Sequence, residues 1–99
     1  MRIEARFEKK GEMKFISHLD LMRVFERALR RAELPVMITR GFSPHLKISI
    51  KRALKLGLES EDETVFVYFD REYSPDELVK KLNVELPCGI KILSASLAL

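Results

Sequence analysis

The sequence predicts an α+β domain, a ferredoxin-like split β-α-β antiparallel sheet with two helices on one face. Three observations support this class: two stretches have helical periodicity behind a capping residue, several stretches alternate apolar and polar residues, and their order is β-α-β-β-α-β with a break in the second strand. Right-handed crossovers place both helices on one sheet face and leave the other for solvent, a partner or a ligand.

The chain begins with a predicted strand and a predicted helix. Residues 2–9 alternate apolar and charged side chains, which is typical of a half-buried strand, and residues 13–16 are expected to extend the sheet. The helix is predicted from Ser17, its N-cap, to about Ala32. Asp20 stands where a carboxylate favours the free amides of the first turn.

The second half of the chain predicts shorter elements. They begin with strands over 36–39 and 46–50, which are either one strand interrupted by a bulged loop or two strands of a hairpin. An acidic turn over 59–63, an apolar strand over 64–70, a helix from Pro75 that ends between Asn83 and Leu86, and a strand over 90–97 follow. Ser74 is the predicted N-cap of this helix, and Glu77 completes a capping box. In the apolar strand, Phe66 and Tyr68 share one face, as aromatics do on RNA-binding sheets, but the chain lacks the Lys/Arg-Gly-Phe-Gly-Phe run of an RNA recognition motif.

Length and composition predict one ferredoxin-like domain, residues 1–99, in a cytoplasmic protein. Apolar residues make up 46% of the chain and charged residues 33%, a mixture that suits a folded protein. No apolar run approaches the roughly 20 residues that span a bilayer, and the N-terminus lacks the apolar stretch of a secretory signal. The single cysteine, Cys88, is expected to be buried in a turn and cannot form an internal disulfide.

Positive charge is concentrated in the first part of the chain. Residues 1–58 contain 14 Lys/Arg and 6 Asp/Glu, a net charge of +8, whereas residues 59–99 contain 4 and 9, a net charge of −5. A basic half of this kind attracts polyanions such as RNA. Two solvated faces of opposite sign explain the same asymmetry without a ligand.

The segment 15–50 contains the candidate binding residues. Arg23, Arg27 and Arg31 are spaced four apart on the helix, where like charges repel, so an anion against them would explain the row. The loop 40–45 (RGFSPH) offers an aromatic ring that can stack on a base. We predict a nucleic-acid-binding surface of Arg23, Arg27, Arg30, Arg31, Arg40, Phe42, His45, Lys47 and Lys51.

The sequence leaves two arrangements of the loop 40–45 open. If the loop closes over the N-terminus of the first helix, Arg40 and His45 join the free amides in an anion pocket, with Phe42 as its lid. Phe42 is equally explained as a core anchor, because most aromatic side chains are buried.

His18 and His45 are the candidate catalytic residues. Together with Asp20 they could supply three metal ligands, but their spacing fits no standard zinc signature, and we expect no metal. Ser17 is better explained as a helix cap than as a nucleophile, because it would have to cap the helix and attack a substrate at once.

Three runs, SHLDLMRVFERALRRAELPV, TRGFSPHLKISIKRALKLGLESEDE and LPCGIKIL, closely resemble the bacterial radical SAM-linked protein family. That family is a domain of unknown function, found alone or behind B12-binding radical SAM proteins and often encoded near ribosomal-protein genes. The family domain is usually longer, so the chain resembles an N-terminal portion or a short member. The resemblance implies an RNA-modification or ribosome context. A radical SAM cluster needs three closely spaced cysteines, so Cys88 alone cannot hold one, and no cofactor is expected.

Our leading hypothesis is a non-catalytic RNA-binding or adaptor module for structured RNA such as rRNA or tRNA, which delivers RNA to a radical SAM enzyme. The first alternative is a metal-independent RNA endonuclease with His18 or His45 as general base. The second is a protein–protein module that docks on a radical SAM enzyme.

Overall fold

The chain folds into a four-stranded sheet with two α-helices, as seen in a computed structural model that describes residues 1–53 and 55–98. The strands are β1 (Arg2–Lys9), β2 (Ile48–Ile50), β3 (Ser60–Tyr68) and β4 (Ile90–Ala98), and the helices are α1 (His18–Arg31) and α2 (Pro75–Glu85). Leu54 and Leu99, which belong to the predicted domain 1–99, lie outside the described residues.

The sheet is antiparallel throughout, with the strand order β2-β3-β1-β4. This confirms the α+β class with two helices. The structure departs from the regular ferredoxin-like unit that the sequence predicts. The strand β2 has only three residues, and the predicted strand 36–39 is reduced to the isolated bridges Val36–Phe69 and Ile38–Leu46. The loop 40–45 connects these two stretches in the manner of a hairpin, because the Thr39 amide donates to the His45 carbonyl and the Lys47 amide donates to the Met37 carbonyl.

One hydrophobic core joins both helices to a single face of the sheet. The alternation of β1 and β3 turns every second side chain towards α1 and α2, as the sequence predicts. The fully buried residues of this core include Ile3, Phe7, Leu21, Phe25, Leu29, Val65, Val67, Leu78, Leu82 and Ile92. The opposite sheet face therefore has no helix on it among the described residues.

Both predicted helix caps are confirmed. The Ser17 hydroxyl oxygen accepts a hydrogen bond from the Asp20 amide at 3.1 Å, and that of Ser74 accepts one from the Glu77 amide at 3.3 Å. The Asp20 carboxylate is engaged elsewhere, because it pairs with Arg23 at 3.2 Å. Ser17 therefore has the structural role that its position predicted.

Three local predictions are wrong. Residues 13–16 do not extend the sheet, because Gly11 adopts a φ of 60° and the chain leaves β1 in a 3-10 helix, Gly11–Phe15. Most of the predicted acidic turn 59–63 belongs to β3, where the Arg52 guanidinium pairs with the buried Glu63 carboxylate and the Ser60 hydroxyl donates a hydrogen bond to it. Cys88 is exposed, not buried.

Two residues near β4 make close backbone contacts. The Gly89 carbonyl accepts a hydrogen bond from the Lys10 amide at 2.8 Å, and a Cβ on Gly89 would lie only 2.6 Å from the Lys10 carbonyl oxygen. The Asn83 side chain binds the backbone of Ile92, donating to its carbonyl at 3.0 Å and accepting from its amide at 2.8 Å. Asn83 thus occupies part of the outer edge of β4.

None of the helices among the described residues is long and apolar enough to cross a membrane.

Candidate nucleic-acid interface

The four predicted arginines of α1 lie on its exposed side. At 100° per residue, Arg23, Arg27, Arg30 and Arg31 fall within roughly a 100° arc of the helix. The buried residues Leu21, Phe25, Ala28 and Leu29 lie on the other side. The row is therefore available to solvent along about two turns of the helix.

Only part of this arginine row is paired. The Arg23 guanidinium lies 3.2 Å from the Asp20 carboxylate, and that of Arg30 lies 3.4 Å from Glu26. Within residues 1–53 and 55–98, neither Arg27 nor Arg31 has a carboxylate within 4.0 Å. These two guanidinium groups are the cations of α1 that can bind an anion without breaking an ion pair.

The loop 40–45 projects from the surface. Its ends are tied together because the Thr39 amide donates to the His45 carbonyl at 2.7 Å and the His45 amide donates to the Thr39 hydroxyl at 3.0 Å. Phe42, at the tip of the loop, is fully exposed, so it is not a core anchor. The ring is open to an aromatic or base partner.

Glu26 fixes where the loop lies. Its Oε1 accepts the Leu46 amide at 3.0 Å, and the His45 imidazole and the Arg30 guanidinium each lie 3.4 Å from the same oxygen. Burial acts to raise the pKa of Glu26, but the Leu46 amide, His45 and Arg30 together outweigh it and hold that pKa below its ordinary value. The base of the loop is therefore attached to the middle of α1.

This attachment argues against two arrangements that the sequence left open. Among the described residues, no hydrogen bond or ion pair joins the loop 40–45 to the first turn of α1, so the anion pocket that such a closure would form has no support. His18 is the first residue of α1, and Glu26, the partner of His45, lies eight residues later, about 12 Å along the helix axis. The two histidines are therefore not brought together. In the described part of the chain, no three His, Cys, Asp or Glu side chains are grouped to hold a metal ion.

Lys47 and Lys51 lie on the other side of the sheet. Ile48 and Ile50 of β2 pack against the core, so the alternating residues 47, 49 and 51 face away from the helices. The Lys47 ammonium lies 4.7 Å from the centre of the Tyr68 ring. The predicted binding set is thus divided between the helix-and-loop surface and the helix-free sheet face.

The helix-free sheet face contains residues that the sequence prediction did not include. Across β1 and β3, Arg2 pairs in register with Tyr68, Glu4 with Phe66 and Arg6 with Thr64. The Arg2 guanidinium lies 4.6 Å from the centre of the Phe66 ring. The alternation of each strand indicates which residues share a face, but only the pairing register shows that Arg2 lies beside these two rings.

Comparison with known proteins gives a family but no activity. A family model described as an uncharacterised protein conserved in bacteria, DUF2344, matches residues 2–98. The chain belongs to the DUF2344 family. No curated protein is significantly similar to it. The family description confirms the expected bacterial domain of unknown function, while the link to radical SAM proteins stays a prediction.

A cavity of about 320 Å³ in this DUF2344 domain lies between the end of the sheet and the described residues of the preceding segment, 52–53 and 55–59. Two almost fully buried charged side chains line it, Lys9 at 1% exposure and Glu63 at 4%. The Lys9 ammonium donates to the Lys55 carbonyl at 2.9 Å, and Glu63 accepts from the Arg52 guanidinium at 3.1 Å. These contacts attach the segment to the sheet, which gives both buried charges a structural role.

Proposed function

We propose that this DUF2344 domain is a non-catalytic module that binds structured RNA. The observation that supports this best is the solvent-facing arginine row of α1, in which Arg27 and Arg31 have no carboxylate within 4.0 Å among the described residues. Guanidinium groups bind phosphate in a planar, bidentate geometry that suits a nucleic-acid backbone. Phe42, exposed at the tip of the neighbouring loop, adds a ring on which a base can stack.

The three residues from His45 to Lys47 connect the surface formed by α1 and the loop 40–45 to the helix-free sheet face. The His45 imidazole lies beside Glu26 on α1, and the Lys47 ammonium lies over the Tyr68 ring on the opposite side of the sheet. Basic groups therefore continue around the β2 edge from one face to the other. A folded RNA can contact both faces at this edge, which supports binding of structured RNA more than binding of a small anion.

The two alternative functions have less support. An endonuclease would need a general base within hydrogen-bond reach of the reacting group, and the separation of His18 from His45 leaves no paired histidine site. The variant with both His18→Ala and His45→Ala should therefore still bind RNA. Docking on a radical SAM enzyme, or delivery of RNA to one, is tested by co-purification with and without nuclease treatment, because an RNA-mediated association is lost on digestion.

The central test compares two charge reversals. In the first variant, Arg27→Glu and Arg31→Glu invert the unpaired part of the arginine row. In the second, Lys80→Glu and Lys81→Glu make the same change in net charge on the exposed surface of α2. Binding to fluorescein-labelled bulk tRNA is measured by fluorescence polarisation in 50 mM salt. We expect the first variant to lose roughly tenfold or more in affinity, because direct phosphate contacts are replaced by repulsion.

The control variant should lose much less, because its reversed charges act only at long range through screening salt. Equal losses in the two variants would show that net charge, not the arginine row, determines binding. The absence of tRNA binding by the wild-type protein in 50 mM salt would refute the proposed function.

A further inference from the structure

The helix-free sheet face presents two aromatic rings on its central strand. Phe66 and Tyr68 are two residues apart on β3, half-buried, and directed away from the core that contains Val65, Val67 and Phe69. No helix covers them among the described residues. Rings at this spacing on adjacent positions of one face are far enough apart for successive bases to stack on each.

Cations lie against both rings. The Arg2 guanidinium is 4.6 Å from the centre of the Phe66 ring and 6.0 Å from that of Tyr68, and the Lys47 ammonium is 4.7 Å from Tyr68. Hydrogen bonds from Arg2 and Ser49 hold the pKa of the Tyr68 hydroxyl below its ordinary value. Each ring thus has a cation over its face, and a base that stacked on the ring would displace this cation towards the phosphate that follows it.

A polar groove lies beside the rings. Its volume is about 300 Å³, and it is lined by Glu4, Arg6, Thr64, Ser94 and Ser96. Register pairing places Arg6 between Thr64 of β3 and Ser94 of β4, and Glu4 between Phe66 and Ser96. Small serine side chains on β4 leave room above the sheet, and the groove offers both hydrogen-bond donors and acceptors to the edge of a base.

We infer that this sheet face binds single-stranded RNA, with bases stacked on Phe66 and Tyr68, a base edge in the serine-lined groove, and phosphates on Arg2 and Lys47. The inference rests on the proposed RNA-binding function and deepens it, because it specifies unpaired nucleotides as the ligand of this face. Duplex RNA does not fit this role, since its bases are already stacked on one another. Glu4 and Glu8 make the β1 side of the face less basic, so the phosphates lie at the end with Arg2 and Lys47.

The experiment compares a labelled ten-nucleotide oligo(U) with a labelled RNA hairpin whose stem is fully paired and is closed by a non-nucleotide linker, so that it has no unpaired base. The variant Phe66→Leu, Tyr68→Leu keeps apolar side chains but removes both rings. We expect its affinity for oligo(U) to fall at least roughly fivefold, the effect of losing one stacked base, while hairpin affinity stays within about twofold. The matched control is Phe15→Leu, because Phe15 is 60% exposed and has the Lys14 ammonium 5.1 Å from its ring, outside the sheet face.

A second measurement on the unaltered protein does not depend on the folding of any variant. Addition of oligo(U) should shift the ring-proton NMR resonances of Phe66 and Tyr68 and leave those of Phe15 in place. Unmoved Phe66 and Tyr68 resonances, or equal effects of the two leucine variants on oligo(U) affinity, would overturn the inference. If the wild-type protein binds the hairpin but not oligo(U), the inference fails and the proposed function stands. If it binds neither RNA, both fail.

Discussion

At the residue scale, the position of the loop 40–45 depends on Glu26. One carboxylate oxygen accepts the Leu46 amide and lies 3.4 Å from both the His45 and Arg30 side chains. The sequence places Glu26 in the middle of the helix predicted from Ser17 to about Ala32. It did not indicate the contact with Leu46, because the two residues are 20 positions apart and no local pattern relates them.

The variant Glu26→Gln tests this role through pH. The pKa of Glu26 in the folded protein is below the ordinary value of 4.5, so its carboxylate stabilises the fold above about pH 4.5, and the contribution is lost as pH falls through the lowered pKa. We expect the variant to lose about 1 kcal/mol in free energy of unfolding at pH 7. Urea unfolding followed by circular dichroism should show this loss diminishing below about pH 4.

The control for this prediction is Glu72→Gln, since Glu72 is an exposed residue. Its free energy of unfolding should stay within about 0.5 kcal/mol of the wild type at both pH values. A loss in Glu26→Gln that is independent of pH would mean that the charge of Glu26 is not what holds the loop.

At the element scale, local chemistry predicted the helices better than the short strands. Ser17 and Ser74 begin both helices as their sequence positions indicated, because a cap depends only on neighbouring residues. The stretch 36–39 has the composition of a strand but forms only isolated bridges, because pairing depends on where the rest of the sheet lies. Gly89 directly follows Cys88, which was expected in a turn, but the contact of Gly89 with Lys10 joins segments nearly 80 residues apart.

Replacement of Gly89 by alanine should therefore lower the free energy of unfolding by more than the positive φ angle of this residue alone explains. Gly89 and Gly57 both have positive φ angles, 101° and 84°, but a Cβ would lie 2.6 Å from the Lys10 carbonyl oxygen at Gly89 and meets no atom within 4 Å at Gly57. We expect Gly57→Ala to lose about 1–2 kcal/mol in free energy of unfolding, and Gly89→Ala to lose more, by thermal and urea denaturation. Equal losses in the two variants would show that the backbone contact between Gly89 and Lys10 tolerates the methyl group.

At the scale of the whole molecule, the basic residues of the first part of the chain are divided between the two sides of the sheet. The sequence did not specify this division. The predicted cations occupy both sides of the sheet, with Arg27 and Arg31 on α1 and Lys47 and Lys51 beside β2. The sequence identified most of these residues, because charge and helical spacing are local. It indicated that Phe66 and Tyr68 share a face, but it did not place Arg2 beside them, because the register of β1 and β3 brings these residues together across some sixty positions.

Salt dependence is the expected property of such a surface. If about five phosphates are neutralised, the logarithm of the association constant for single-stranded RNA should fall with a slope of about −3.5 against the logarithm of salt concentration. Between 50 and 200 mM salt, affinity should fall roughly 100-fold, as measured by fluorescence polarisation. A parallel titration with a neutral osmolyte controls for general solution effects. A change of less than about twofold would mean that apolar contacts dominate binding.

Asn83 has a consequence for how the protein behaves at high concentration. Fibril growth requires strand after strand to bond along an uninterrupted sheet edge. The side-chain amide of Asn83 already binds both the backbone amide and the backbone carbonyl of Ile92. These two groups are therefore not available to a strand of another copy that approaches β4. One side chain from α2 thus limits uncontrolled sheet-to-sheet growth while the rest of the sheet stays free to bind a ligand.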